Sequence, residues 1–165
     1  MAADRNAPQS STRSGVTEPQ PNPAVPQATT SPGTRRRARL LAVVSTILAA
    51  LALWTVAEPI LGVDLREPAR AAGGATRAIG PLNIVLASAV ASLAGWGLLA
   101  ALERLTVRAR TAWTATAVVV ALVSLGGPLS GAGITAANKV VLALLHIVVA
   151  AVLIPLLSRT SPQRR

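Results

Sequence analysis

The amino-acid sequence predicts an all-α membrane protein, a four-helix transmembrane bundle behind a disordered N-terminal tail. Three observations predict it. Apolar residues make up 52% of the chain and charged ones only 13%, against a charged share of roughly 25% in soluble domains. The apolar residues are gathered into four long blocks rather than spread along the chain. Finally, most of the Lys and Arg residues stand at the ends of those blocks, as they do at the flanks of membrane spans.

Residues 1–34 carry six prolines among many Ser, Thr, Gln and Asn residues. Such a segment buries too little apolar surface to offset its conformational entropy, so disorder is predicted, with either a docking role or a passive one. The membrane domain is predicted over 35–160, followed by a basic tail at 161–165. Its first span, 40–57, is an unbroken run of 18 residues with nothing more polar than Ser45, Thr46 and Thr55. A hydrocarbon core of about 30 Å needs roughly 20 helical residues. Thr34-Arg35-Arg36-Arg37 ahead of Ala50-Leu51-Ala52 has the letters of an export signal with a cleavage site, but three further apolar blocks favour a retained anchor.

The second span is predicted at 81–102, opening on Pro81, whose missing N–H is harmless in a first helical turn. The third runs over 112–129 and is loosened at its far end by Gly126, Gly127 and Pro128. The fourth covers 136–157. Lys139 lies in its first turn, from which its ammonium can reach the headgroups, and Pro155 lies in its last. The blocks lack the period-2 alternation of barrel strands, which leaves helices as the way to satisfy backbone polar groups in lipid. With both termini on the cytoplasmic side, twelve Lys and Arg residues fall inside and four outside, so the expected protein is a multi-pass one with N-in, C-in topology. Trp54 and Trp113 are expected as interfacial anchors, and Trp96, deeper, as a packing residue.

The net charge of +10 does not indicate nucleic acid. There is no Phe or Tyr to interleave with the arginines, and the charge follows the block ends. The absence of cysteine excludes disulfides, thiolate metal sites and Cys nucleophiles. Heavy use of Ala, Arg, Gly and Pro, with one Lys, matches GC-rich codons and hints at a high-GC bacterium.

Few residues could carry chemistry. His146 is the only histidine and lies about ten residues into the fourth span, near the midplane, where an ionisable side chain is a functional candidate. Thr46 and Ser92 fall at a similar depth. A proton relay or a metal or haem site would need partners that this level lacks, so the alternative is an imidazole hydrogen-bonded to a hydroxyl or carbonyl across the bundle. At the outer rim Glu58 and Asp64 flank Pro59 to Val63, with Asn83 and Lys139 nearby. They make either a small polar binding site or a hydrogen-bonded loop. Gly131-Ala132-Gly133-Ile134-Thr135-Ala136 has the letters of a dinucleotide motif, but it links two spans and reads as a flexible outer loop. Ala87, Ala91 and Gly95, and likewise Ser88 and Ser92, recur every fourth residue and predict a flat stripe for close helix packing.

Val56-Ala57-Glu58-Pro59, Gly62-Val63-Asp64-Leu65, Ala94-Gly95-Trp96-Gly97, Leu145-His146 and Leu153-Ile154-Pro155 together resemble a family of small four-helix actinobacterial membrane proteins, a domain of unknown function. The resemblance covers about 36–159. It implies a bacterial plasma membrane location and four spans, and no activity, cofactor or site residues. With no Ser-His-Asp set, ligand cluster or phosphate loop, the expected protein is non-enzymatic and cofactor-free. It would be a scaffold, accessory subunit or partner-binding module of the lipid bilayer, working with a membrane protein partner or as a homo-oligomer. The alternative is a small oligomeric transporter or channel using His146 with Thr46 and Ser92.

Overall fold

A computed structural model describes residues 31–69 and 74–161. The predicted tail therefore lies outside the described residues up to residue 30, as do residues 162–165 of the basic C-terminus. The first helix, α1, spans Pro32–Thr55. It begins ahead of the apolar block because Ser31 accepts the Thr34 N–H at 3.3 Å and Pro32 opens the first turn, while the arginines that follow are good helix formers. Three residues assigned to the tail are thus helical.

Pro59 has no N–H to donate, and the end of α1 widens into a π-helical turn, Val56–Ile60. Gly62, at φ +69°, then reverses the chain, with Gly62 N–H donating to Glu58 O and Val63 N–H to Ala57 O, both at 3.0 Å. The loop beyond contains a feature that the sequence did not predict, a short antiparallel ribbon of β1 (Arg66–Glu67) and β2 (Arg77–Ala78), paired Arg66 to Ala78 and Glu67 to Arg77. It places Leu65 face down in the bundle, fully buried among Ala50, Ala57, Ile84, Val141 and Leu145.

Three more long helical segments follow. Helix α2 spans Pro81–Leu105, and α3, Ala109–Ser124, runs on into the short α4, Gly126–Ser130. Helix α5 spans Ala136–Thr160, with Thr135 accepting the Asn138 N–H at 3.2 Å as its cap and Pro155 inside it. Among the described residues four helical segments are long and apolar enough to cross a membrane: 33–60, 81–105, 109–130 and 136–160. Each contains the whole of its predicted span and exceeds it at one end or both.

Side-chain bonds fix how the helices run. Arg39 near the start of α1 meets Glu103 near the end of α2 and Thr160 at the end of α5, so these three ends lie together. At the opposite end Trp54 Nε1 donates to Ile79 O at 3.1 Å, and Asn138 Nδ2 donates to Arg66 O at 3.0 Å. Consecutive long helices are therefore antiparallel. Helix α1 packs along α2 and α5, and α3 completes the bundle against α2 and α5. Two apolar clusters hold it: the one under Leu65 at the loop end, and Ala42, Leu99, Trp113, Leu153 and Leu157 at the basic end.

Candidate functional site

Helices α2, α3 and α5 stand apart along a half-open cleft of about 1560 Å³, lined by members of both clusters. Its walls are made largely of small residues: Ala87, Ala91 and Ala94 of α2, Ala117 and Ala121 of α3, and Ala150 of α5. The small-residue stripe on α2 thus divides in two. Ser88, Ser92 and Gly95 are buried, whereas Ala87 and Ala91 remain exposed; all but Ser92 line the cleft. A row of methyl groups is too short to reach the facing helix once Trp113 sets the spacing. That ring packs over Gly95, where an added Cβ would lie 2.9 Å from Trp113 Cη2. Trp113 is accordingly a core residue, 2% exposed, and the expectation of an interfacial anchor is corrected. Trp54 is half-buried and ties α1 to the loop, and Trp96 is half-buried.

The loop end of the cleft is roofed. Ala69 N–H donates to Ala132 O at 3.2 Å, and Gly131 is pressed against Pro68, two of whose carbons would sit 2.6 Å from an added Cβ. Residues 131–133 thus meet the first loop directly, with Gly133 at φ +75°. Glu67, Arg77, Asn83 and Ser130 ring the mouth below it.

His146 lines this cleft and also a smaller groove of about 400 Å³ between α3 and α5. Its Nδ1 lies 2.7 Å from Leu142 O of its own helix, so the ring is held by α5 itself and not by a hydroxyl across the bundle. Thr46 and Ser92 are fully buried but do not line the cleft. Thr46 donates back to Ala42 O at 2.8 Å, and Ser92 Oγ has no hydrogen-bond partner among the described residues. Helical residues commonly make such back-bonds, and they leave the hydroxyl turned along its own helix.

At the rim the two candidate carboxylates have separate surroundings. Glu58 is half-buried on the π-helical turn, with Oε2 buried and unpaired among the described residues. Asp64 is exposed and accepts Arg66 Nε at 2.8 Å. Lys139 Nζ reaches Leu129 O at 3.4 Å, the path expected of a snorkelling lysine. Among the described residues no group of three His, Asp or Glu residues could hold a metal ion.

Three further features carry no obvious sequence signal. Asn138 is 1% exposed and, besides its bond to Arg66 O, holds a buried Oδ1 with no partner among the described residues. Arg39 is buried and bonded to Glu103, with its Nε donating to Thr160 Oγ1 at 3.1 Å. The cleft is the third, since it depends on how far helices stand apart. The small residues of α2 hinted at one wall of it, but read as a contact surface.

Four long apolar helices around such a cleft, with a polar mouth at one end, define a membrane protein of the helical-bundle class. More particularly, the chain belongs to a family of unknown function (DUF6069), whose model matches residues 30–163. No curated protein and no solved structure matches it.

Proposed function

We propose that the chain is a non-enzymatic binding module of a bacterial plasma membrane, a scaffold or accessory protein whose working surface is the cleft between α2, α3 and α5. The cleft is the observation that carries the reading. The cleft is half-open, and its volume of about 1560 Å³ exceeds the roughly 300–1,000 Å³ usual for a small-molecule pocket. Its lining is overwhelmingly apolar, so it suits an apolar occupant of the bilayer better than a solute. The excess of Lys and Arg at the termini, and Arg104, Arg108 and Arg110 around the connection between α2 and α3, support placing that end in the cytoplasm.

A photo-crosslinking residue at Ala91, inside the cleft, compared with one at Val119, exposed on α3, tests this in native membranes. The reading expects a discrete adduct from position 91 and only bulk lipid from position 119. Indistinguishable products would overturn it.

The position of His146 between cleft and groove favours one rival, a transporter built from several copies. That rival expects His146→Leu to abolish proton or solute flux in liposomes at unchanged thermal stability. Flux that survives the substitution, or is absent from the parent protein, removes it.

A further inference from the structure

The hydrogen bonding of the cleft walls narrows the choice of occupant, on the reading that the cleft is a binding site. Inward of the mouth, the described lining side chains that carry an N–H or O–H are Ser88, Trp113, Ser124 and His146, and each has already used its donor. Ser88 donates to Ile84 O at 2.6 Å and Ser124 to Ala121 O at 2.7 Å. Trp113 Nε1 donates to Ile154 O at 3.4 Å. His146 Nδ1 lies 2.7 Å from Leu142 O, and because a carbonyl oxygen can only accept, Nδ1 carries the ring proton.

Nε2 of the neutral imidazole is thereby left as an acceptor. It has no hydrogen-bond partner among the described residues, yet it is not sealed from its surroundings. The ring borders both the cleft and the groove between α3 and α5, and Ala121 and Ala150 border both with it. His146 is ten residues into α5, about 15 Å along a helix and so near the middle of a hydrocarbon core of about 30 Å. No water is at hand there to satisfy the acceptor. Walls that offer acceptors and no free donor select a ligand that brings a donor, and they reject one whose oxygens are all carbonyl or ether. The methyl groups of Ala121 and Ala150 leave room beside the imidazole for a flat ring, and the apolar lining beyond them suits a hydrocarbon remainder.

We propose that the site at His146 binds a lipid-soluble phenol, of the chemical class of a prenylated hydroquinone, whose O–H donates to His146 Nε2 while its ring lies against Ala121 and Ala150. The corresponding quinone carries acceptors alone and is discriminated against.

Three compounds separate the donor from the rest of the molecule: a decyl-substituted benzohydroquinone, its dimethyl ether and the matching benzoquinone. The tritiated hydroquinone, kept reduced under argon, should bind saturably to the full chain in vesicles. Displacing it with the ether or the quinone should need at least about tenfold more competitor than with unlabelled hydroquinone, the effect of one hydrogen bond to a desolvated acceptor. This comparison is made on the parent protein, so it stands even where a variant fails to fold. His146→Leu should weaken hydroquinone binding about tenfold and erase the preference over the ether. Ala150→Phe, which fills the space beside the ring, should abolish binding with helical content retained. Absence of saturable binding, equal displacement by the ether or the quinone, or a preference unchanged by His146→Leu overturns the proposal. If the photo-crosslinker at position 91 then still yields a discrete adduct, the binding-module reading survives without the phenol; if it yields none, both fall.

Discussion

Gly95 shows how one residue sets the geometry of the site. With hydrogen in place of a methyl group, α2 admits the edge of Trp113, and both residues line the cleft. Trp113 is rigid and buried, so it cannot yield cheaply to a Cβ at 2.9 Å. Gly95→Ala should cost about 1–3 kcal/mol by overpacking, read as a lower thermal midpoint in detergent. Combining it with Trp113→Leu should recover part of the loss, as expected for residues in contact. Arg39 and Glu103 form the second residue-scale test. Glu103→Gln strands a buried guanidinium and should cost about 3 kcal/mol, whereas Arg39→Met with Glu103→Leu removes both charges and should cost far less. Equal losses in the single and double variants would show that the pair contributes little. Neither contact was legible in the sequence, because arginines at the start of a span look alike whether they reach for headgroups or turn inward to Glu103 and Thr160.

At the scale of elements, the four spans were legible because a continuous apolar run of bilayer length has few alternatives. Their ends were less so. Helix α1 gains eight residues ahead of its apolar block from the Ser31 cap and a run of helix-forming arginines, and α5 continues through Pro155 to Thr160. The ribbon at 66–67 and 77–78 was invisible: two-residue strands leave no periodicity, and their pairing follows from long-range anchors such as Leu65 and Asn138. The roof of the cleft depends on the junction of this loop with residues 131–133. Gly131→Ala should force Pro68 away, since both carbons at 2.6 Å belong to a stiff ring. Amide exchange at Ala69, whose N–H donates to Ala132 O, should accelerate while the helices keep their protection. Unchanged exchange there would mean that the junction absorbs the methyl group.

On the scale of the whole molecule, the fold class followed from hydropathy and charge alone, while the site did not. Sequence depth placed His146, Thr46 and Ser92 on one level, but level is not azimuth: helix rotation turns Thr46 and Ser92 into packed interfaces and His146 toward the cleft. The bundle is expected to cross the bilayer with its basic end inside. Because the chain contains no cysteine, single cysteines report without background. The most direct measurement is labelling of Ala75→Cys, in the loop between the first two spans, and Val107→Cys, between α2 and α3, with a membrane-impermeant maleimide. In intact cells the first should react and the second should react only after permeabilisation. Labelling of both from outside would contradict the crossing itself, and the reverse pattern would contradict the orientation.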